Sequence, residues 1–247
     1  LRSMSKLMSI LSRWWREAMH LLYPPVCVVC GRMLADDEEH ICLTCRFLAP
    51  VTGYWEKPYN PLFESFLGRV PLWSASAMLF YESASPWRRL IHDFKYHKRW
   101  ALAEEMGRWY GRLLKQSGYY NTIEVVVPMP LHPLRYLMRG YNQSYYLARG
   151  IAEALEAEVD TRSVKRVRYT RPQARLGRRE RDKNVASAFR VVHRAALERR
   201  HILLVDDVLT TGNTLEACAN AIMEAQVDCK ISIAVLATPP PRPVVEA

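Results

Sequence analysis

The sequence predicts an α/β protein in which helices flank a parallel β-sheet, with a small four-cysteine module at the N-terminal side. Three observations predict this fold class. Strand-like and helix-like segments alternate along the chain after residue 71. The strand-like segments are short runs rich in valine and isoleucine, which is typical of strands that are buried on both faces. Two C-x-x-C pairs follow one another closely between Cys27 and Cys45.

The chain divides into four expected regions. In residues 1–22 the apolar positions recur at helical spacing, which predicts an amphipathic N-terminal helix. We expect this helix to pack on the rest of the protein, with docking on a membrane surface as the alternative. Residues 23–70 are expected to form a metal-binding module and a proline-rich linker, and residues 71–238 the α/β domain. The proline-rich residues 239–247 are expected to be a flexible tail.

Within residues 71–238, helices and strands are expected to follow each other in regular order. The expected strands are SASAMLFYES, EVVVPMP, TRSVKRVRYT, RRHILLVDD and CKISIAVLAT. The expected helices are one or two in PWRRLIHDFKYHKRWALAEEMGRWYGRLLKQSG, broken near Tyr96–Lys98, then YNQSYYLARGIAEALEA and LEACANAIMEA. This alternation predicts βαβ units and therefore a parallel sheet.

Composition and charge narrow the classes of partner. A hydrophobic share of 49% is ordinary for a protein with a globular core. The sequence contains no run of eighteen uncharged apolar residues, so a membrane span is not expected. No signal-peptide cleavage site is apparent, so a cytoplasmic location is expected. The net charge is +10, and Arg162–Arg200 alone contains fourteen Lys/Arg against three acids. This excess favours an anionic partner, and a solvated basic surface is an equally good interpretation.

Cys27, Cys30, Cys42 and Cys45 form two C-x-x-C pairs separated by eleven residues. Four thiolates at this spacing are typical of a structural zinc site, in which no coordination position is left for catalysis. Disulfides and free buried thiols are the alternatives, and a reducing compartment argues against disulfides. The remaining cysteines, Cys218 and Cys229, are expected to be small apolar fillers.

The stretch VDDVLTTGNT, from Val205 to Thr214, combines two carboxylates with an anion-binding loop. The N–H groups at the start of the following helix are expected to bind a phosphate, and Gly212 allows close approach of the backbone. Asp206 and Asp207 would then lie about the length of one sugar from the phosphate, where they can accept hydrogen bonds from vicinal ribose hydroxyls. The pattern predicts recognition of a ribose 5-phosphate, and an N-cap loop with solvated acids is the alternative.

Three loops are expected to converge beside this stretch, because the carboxyl ends of parallel strands meet at one edge of a sheet. They are the turn VPMPLHPLRYLMRGYNQ, the arginine-rich connection Thr170–Glu198 and VDDVLTTGNT itself. A connection as long as Thr170–Glu198 inside a compact domain is usually functional or mobile.

LLVDDVLTTGNT resembles the phosphoribosyl pyrophosphate (PRPP) signature of type I phosphoribosyltransferases. Further segments make the chain similar to the ComF family, which includes the competence protein ComFC and GntX-type proteins. They are the doubled C-x-x-C after LLYPP, FKYHKRW, VPMPLHPLRYLMRGYNQ and RPQARLGRRERDKNVASAF. The resemblance extends from Leu21 to Thr238 in family order, with Tyr141 and Asn213 as small departures.

The resemblance implies a type I phosphoribosyltransferase-like fold that binds PRPP with Mg²⁺, and it implies roles for particular residues. Asp206 and Asp207 would contact the 2′ and 3′ hydroxyls of the ribose. The 5-phosphate would bind at Thr210, Thr211, Gly212, Asn213 and Thr214. Pyrophosphate would bind at Pro130, Leu131, His132, Arg135 and Arg139. A mobile catalytic loop would stabilise leaving-group charge through Arg175, Arg178, Arg179, Arg181 and Lys183.

Two functions are compatible with the resemblance. The first is a phosphoribosyltransferase linked to DNA uptake in natural competence. The segment Tyr81–Trp100 is expected to cover the acceptor base, but its residues do not identify that base. The second is a non-catalytic scaffold of the same fold that binds single-stranded DNA through the zinc module and the basic face. The competence helicase machinery is an implied partner in either case.

Overall fold

The computed structural model describes residues 24–82, 85–96, 99–168 and 188–241. The predicted N-terminal helix, the arginine-rich residues 171–184 and residues 242–247 of the tail lie outside this part. The chain forms two compact units, residues 1–49 and 50–247, and each is described by itself.

The described part of the first unit is built from turns and one short helix. An isolated bridge between Val26 and Met33 closes a turn around Cys27 and Cys30. Helix α1 (Leu43–Phe47) follows, with Cys42 as its N-cap residue. Turns of this kind bury little apolar surface, and a bound metal would add stability to this described part of the unit.

The second unit contains a five-stranded, wholly parallel sheet. Its strand order is β1-β7-β6-β2-β3. The strands are β1 (Ser74–Phe80), β2 (Val125–Pro128), β3 (Glu158–Val159), β6 (His201–Val208) and β7 (Lys230–Thr238). The four longer strands are almost entirely buried, as strands covered on both faces should be. The predicted α/β fold class is confirmed.

Helices cover the sheet in the second unit. They are α2 (Pro61–Glu64), α3 (Trp87–Tyr96), α4 (Trp100–Ser117), α5 (Pro133–Arg139), α6 (Gln143–Leu155) and α7 (Asn213–Glu224). Helices α4 and α6 pack closely because glycine lies at their contact. A Cβ added to Gly107 would come 2.3 Å from the Leu147 carbonyl oxygen, and one added to Gly150 would come 2.2 Å from that of Glu104. The predicted break near Tyr96–Lys98 is confirmed, since α3 ends at Tyr96 and α4 begins at Trp100.

One expected strand of the parallel sheet is placed differently by the structure. In TRSVKRVRYT, strand β4 (Val164–Arg166) pairs antiparallel with β5 (Phe189–Val191) in a separate two-stranded ribbon. The position beside β2 is taken by the two-residue strand β3. The reason lies in the pattern of β4, in which Val164 is buried and Lys165 is exposed. That alternation is typical of an antiparallel strand with one solvated face.

Two short segments connect these elements. The proline-rich stretch before β1 contains a 3₁₀-helix at Tyr54–Glu56 as well as α2, and its Asn60 side chain donates to the Ala75 carbonyl at 2.8 Å. A second 3₁₀-helix, Arg194–Ala196, lies between β5 and β6. Among the described residues, no helix is both long enough and apolar enough to cross a bilayer.

Candidate functional site

The site is built at the carboxyl edge of the sheet, where β2 and β6 lie side by side. Pro128 is paired with Val205 in the parallel register. The Met129 N–H continues the ladder by donating to the Val205 carbonyl at 2.8 Å. The turn that begins at Pro130 therefore starts next to the acidic pair that follows Val205. Two of the three segments predicted to converge are brought together in this way.

Asp206 is half-buried and Asp207 is buried, and both carboxylates are held by specific donors. The Ser144 hydroxyl donates to Asp206 Oδ1 at 3.1 Å, and the Gln143 amide donates to Asp207 Oδ2 at 3.3 Å. Each carboxylate also accepts the backbone N–H of the following residue, at 2.9 Å for Asp206 and 2.8 Å for Asp207. The acids are therefore fixed in orientation rather than solvated at random, which argues against a simple cap loop.

Gln143 and Ser144, which orient the two acids, have no role predicted from the sequence. They form the first turn of α6, where Asn142 caps the helix by accepting the Ser144 N–H at 3.1 Å. The Asn142 amide in turn donates to the Met129 carbonyl at 3.1 Å, which ties the start of α6 to the end of β2. The positive end of α6 faces the two acids and stabilises their charge. An asparagine cap followed by Gln-Ser was the sequence signal for this arrangement.

The expected phosphate-binding loop forms the start of α7. Gly212 is the N-cap residue, with φ 77° and ψ −10°, a left-handed conformation that favours glycine. Its α-carbon faces the Phe66 ring, since an added Cβ would lie 3.0 Å from Phe66 Cζ. Thr210 and Thr211 are exposed, while Asn213 and Thr214 are half-buried in the first turn. The first N–H groups of a helix have no partner within it, so the loop offers donors to an anion.

Positively charged groups influence the region of the acids. Arg135, in α5, is half-buried, and His132 caps the same helix by accepting the Leu134 N–H on Nδ1 at 3.3 Å. Arg166, at the end of β4, stacks over the Phe189 ring at 5.4 Å. Burial and then the charge of Arg135 lower the pKa of Arg166, while Asp206 acts in the opposite direction. The charges of Arg135 and Asp206 therefore both act on Arg166, a residue near the acids that had no role predicted from the sequence.

Tyr141 lies behind the site and connects it to α3. Its hydroxyl donates to the Phe94 carbonyl. Burial raises the pKa of Tyr141 to about 12, with Arg139 lowering it and Asp207 among the groups that raise it further. The hydroxyl is thus a fixed neutral donor. Arg139 and Asp207 both lie close enough to Tyr141 to influence it electrostatically.

Five expected catalytic residues cannot be placed by the described geometry. Arg175, Arg178, Arg179, Arg181 and Lys183 lie outside the described residues. The ribbon β4–β5 that flanks them is described up to Arg168 and from Ala188, where the Val167 N–H donates to the Ala188 carbonyl at 2.8 Å.

The four cysteines of the first unit come together as one cluster. Their sulfur atoms all lie within 4.8 Å of one another, and Cys30 Sγ is 3.7 Å from Cys42 Sγ. Four thiolates around one zinc ion would have sulfur–sulfur distances of about 3.8 Å. The Cys42 and Cys45 N–H groups each donate to a cluster sulfur at 3.4 Å. Burial opposes ionisation of Cys42, but the N–H of Cys45 and the neighbouring thiols lower its pKa to about 6, while burial and its own neighbouring thiols raise the pKa of Cys45. The donor set therefore fits a metal ion such as zinc.

Cys218 and Cys229 are separate from this cluster. Cys218 is fully buried in the core of the second unit, and Cys229 is half-buried beside it. Burial raises the pKa of the two thiols to about 12 and about 11. These cysteines pack as neutral, apolar groups.

Comparison with known proteins agrees with this geometry. The family model "Phosphoribosyl transferase domain" matches residues 142–246, which begin at the cap of α6 and include the acids and the loop. The DNA utilization protein YhgH of Escherichia coli strain K12 is 28% identical over 213 residues, covering 82% of this chain and 92% of that protein. Competence protein F of Haemophilus influenzae is 28% identical over 212 residues, with the same coverage.

Two larger proteins of known structure align with part of this chain. The glutamine PRPP amidotransferase of B. subtilis, complexed with ADP and GMP, aligns with a TM-score of 0.40 and 19% identity over 59% of this chain. The UMP synthase of Leishmania donovani aligns with a TM-score of 0.33 and 16% identity over 72% of this chain. The chain spans about 30% of the length of each. The α/β fold is therefore that expected of a phosphoribosyltransferase-like domain, and most of the chain is similar to the DNA utilization protein YhgH and to Competence protein F.

Proposed function

We propose that this chain binds PRPP, or another ribose 5-phosphate compound, together with Mg²⁺ at the carboxyl edge of its parallel sheet. The observation that carries the proposal is the geometry at the end of β6. Two oriented carboxylates, Asp206 and Asp207, directly precede a helix N-terminus with a left-handed glycine at its cap. Acids that accept hydroxyl hydrogens and a loop that accepts a phosphate fit the two ends of one sugar phosphate.

The acids have the capacity for this role. A carboxylate offers about four acceptor positions, so each acid can accept a ribose hydroxyl in addition to its protein donors. Ser144 and Gln143 fix the planes of the carboxylates before the ligand arrives. Preorganised acceptors lose little side-chain entropy on binding, which favours affinity for the vicinal diol.

The loop supplies the complementary charge. The N–H groups of residues 210–214 and the hydroxyls of Thr211 and Thr214 can donate to the 5-phosphate. Gly212 adopts the left-handed conformation of the cap, and the absence of a Cβ lets the loop pack against the Phe66 ring. We assign the phosphate to Thr210, Thr211, Gly212, Asn213 and Thr214.

Pyrophosphate would lie on the opposite side of the ribose, along Pro130 to Arg139. His132, Arg135 and Arg139 belong to this segment, and Arg166 adds a further positive charge from β4. Mg²⁺, held mainly by ligand oxygens and water, would neutralise part of the pyrophosphate charge. Few protein ligands are needed for that arrangement, and the described acids are compatible with it.

In the enzymatic version of the proposal, an acceptor nitrogen attacks C1′ of the ribose. The new C1′–N bond forms as the C1′–O bond breaks, pyrophosphate leaves with the electron pair, and the proton of the acceptor passes to solvent. We propose that Arg175, Arg178, Arg179, Arg181 and Lys183 stabilise the charge of the departing group. The acidic pair holds the ribose while this happens.

Titration calorimetry with PRPP and Mg²⁺ tests the binding proposal. We expect the native chain to bind and the Asp206→Asn/Asp207→Asn variant to lose at least 100-fold in affinity, because charged acceptors are replaced by neutral amides. Asp36→Asn/Asp37→Asn is the matched control, since it removes the same charge from an exposed adjacent pair in the first unit. Equal binding by the native chain and the Asp206/Asp207 variant, or no binding by the native chain, would refute the proposal.

A scaffold that binds single-stranded DNA is the second candidate, favoured by the names of the relatives and by one surface feature. Trp100 is half-exposed, its ring lies 5.7 Å from that of Tyr146, and the Arg149 guanidinium lies 5.8 Å over Tyr146. Exposed aromatic rings beside arginine suit base stacking with phosphate contact. A link to DNA uptake, the competence helicase machinery as a partner and a cytoplasmic location are proposed for both candidates.

Fluorescence titration with a labelled single strand separates the two candidates. A scaffold predicts affinity that falls with salt, is unaffected by Asp206→Ala and is weakened by Trp100→Ala. Trp73→Ala is the matched control, because Trp73 is also half-exposed and carries a cation, Lys230, 4.1 Å from its ring centroid. Release of pyrophosphate from PRPP in the presence of a nucleobase would favour the enzyme instead.

We further propose that the four-cysteine cluster binds one structural zinc ion. Elemental analysis of the purified chain is expected to give about one zinc per chain. Cys27→Ser/Cys30→Ser should abolish the metal, while Cys229→Ser, outside the cluster, should retain it. Metal-free protein with native stability would contradict the assignment.

A further inference from the structure

Arg69, in the segment before β1, makes an unusual set of contacts with the start of α7. Its Nε donates to Glu216 Oε2 at 3.0 Å, and its Nη2 donates to the same oxygen. Both terminal nitrogens lie 3.3 Å from the Thr211 carbonyl oxygen, and Nη2 donates to Asn213 Oδ1 at 3.0 Å. One guanidinium thus holds three residues of the loop and its helix, across 142 to 147 positions of sequence.

Glu216 poses an electrostatic problem for an anion site. It lies in the first turn of α7, where its carboxylate would repel a phosphate bound at the helix N-terminus. The pairing with Arg69 offsets this charge, and both side chains are about two-thirds or more buried, with exposures of 31% and 26%. Partial burial reduces solvent screening, so the pairing has more effect here than on an open surface.

The Thr211 carbonyl poses a second problem, because a carbonyl oxygen that faced the anion would repel it. By donating to this oxygen, Arg69 fixes the orientation of the Thr211–Gly212 peptide. Phe66 supports the same place from below: it is almost fully buried, its ring faces Gly212, and the Arg69 guanidinium lies 5.5 Å over it. Arg69 and Phe66 therefore determine how the loop backbone is presented.

We propose that Arg69 is a positioning residue for the phosphate-binding loop, acting through Glu216 and the Thr211 carbonyl rather than by touching the ligand. Arg69 neutralises the Glu216 carboxylate, which would otherwise repel the phosphate, and it orients the loop N–H groups toward the phosphate. The inference rests on the proposed function for its ligand, but its effect on the loop itself does not require one. It also assigns a role to residues 61–70, which precede the sheet and lie outside the matched domain.

Calorimetry with ribose 5-phosphate on the full chain provides the test. Arg69→Ala is expected to weaken binding about tenfold or more, because it exposes Glu216 and frees the peptide. Adding Glu216→Gln to Arg69→Ala should restore at least half of the logarithmic loss, since the repulsive charge is then absent. Arg69→Lys should be intermediate, because lysine keeps the charge but lacks the planar fork.

Arg194→Ala is the matched control variant. Arg194 likewise donates to a carboxylate, Glu198, at 3.2 Å and to a backbone carbonyl, that of Gln226, but it belongs to a 3₁₀-helix away from the loop. We expect this variant to lose a similar amount of stability and to bind ribose 5-phosphate as the native chain does. If Arg194→Ala weakened binding as much as Arg69→Ala, the effect would be general destabilisation and the proposal would be overturned.

Amide hydrogen exchange of residues 210–214 separates this inference from the proposed function. Arg69→Ala should accelerate exchange in this loop at least tenfold without any ligand, while Arg194→Ala should leave it unchanged. Native-like exchange in Arg69→Ala would overturn the positioning role. Failure of the native chain to bind ribose 5-phosphate would instead refute the function while the exchange result still decided the role of Arg69.

Discussion

The two ends of strand β6 carry polar residues with opposite relations to solvent. At its amino end, His201 is 3% exposed and is enclosed by hydroxyl groups. At its carboxyl end, Asp206 is half-buried and the loop that follows it is open to solvent. The same strand thus begins in a closed polar network and ends in an open polar site.

The amino-end network is satisfied by the protein itself. The His201 ring lies 2.8 Å from Thr122 Oγ1 through Nδ1 and 2.8 Å from Ser232 Oγ through Nε2. Ser232 continues to Ser74 at 2.8 Å. A neutral imidazole has one donor and one acceptor, and hydroxyls can serve as either, so the chain of bonds closes without water.

The difference teaches where function and stability are separated in this fold. Buried polar groups that complete each other's hydrogen bonds specify the packing of strands β1, β6 and β7. The carboxylates at the other edge use only some of their acceptor positions for protein donors, so the remaining positions can accept hydrogen bonds from a ligand. Substitutions at the amino end should therefore alter stability, and those at the carboxyl end should alter binding.

The largest expected effect is that of His201→Ala on stability. Removing the ring leaves Thr122 and Ser232 without their shared partner and creates a cavity, which should lower the free energy of unfolding by about 3–4 kcal/mol. Urea unfolding at constant m-value measures it. Affinity for ribose 5-phosphate should stay within about twofold of native at a temperature where the variant is folded. If His201→Ala lost much affinity but kept native stability, the amino end of β6 would serve binding rather than stability.

The next effect is a pH dependence that originates at the same residue. Burial first, and then the charge of Lys230, lower the pKa of His201 to about 4, with Glu124 opposing. Because the unfolded chain binds this proton more tightly than the folded one, the stabilising contribution is complete above the ordinary pKa near 6.5 and is lost as the pH falls toward 4. Between pH 7.5 and 5 the loss should be about 2 kcal/mol.

Urea unfolding of the native chain and of His201→Asn across this pH range isolates the effect. The variant lacks the titrating ring, so its stability should fall less steeply by about the same 2 kcal/mol. Other histidines titrate equally in both proteins and cancel in the difference. Parallel pH profiles of the two proteins would show that His201 is not the group responsible.

At the carboxyl end, Asp207→Asn should have the opposite effect and weaken binding while leaving stability nearly unchanged. We expect affinity for ribose 5-phosphate to fall about tenfold, or about 1.4 kcal/mol, because a charged acceptor of a ribose hydroxyl is lost. Stability should change by less than about 0.5 kcal/mol, since the loss of the Gln143 bond is offset by reduced repulsion from Asp206. Calorimetry and urea unfolding of the same preparation measure both quantities. A variant that binds normally but is strongly destabilised would place Asp207 in the structural class with His201.

The position of the acidic pair at a strand end and of the loop at a helix start could be predicted from sequence, because these residues are contiguous. Asp206 to Thr214 form one short stretch, and the physical needs of a helix N-terminus determine what that stretch can bind. The four cysteines were predictable for the same reason. Gln143 and Ser144 were missed because their partners lie 64 and 62 positions away, so that only the three-dimensional arrangement identifies them.

The amino-end network could not have been predicted. Its bonds join residues 31, 79 and 158 positions apart, and single serines within apolar strands resemble neutral fillers. The pairing of β4 was predicted wrongly for a related reason. Periodicity identifies a strand but not its partner, and the alternation at Val164 and Lys165 suits an antiparallel ribbon as well as the edge of a sheet.

The smallest expected effect is that of Tyr110→Phe, at the margin of the same network. The buried Tyr110 hydroxyl donates to Ser76 Oγ at 2.8 Å, and burial raises its pKa well above the ordinary value. Removing the oxygen leaves Ser76 with one partner fewer, which should cost about 1 kcal/mol in urea unfolding without any change in ligand affinity. Tyr59→Phe is the control, because Tyr59 is 74% exposed and its hydroxyl can bond to water. An equal loss in both variants would mean that the hydroxyl of Tyr110 contributes nothing specific, and that the amino end is stabilised by His201 and its direct partners alone.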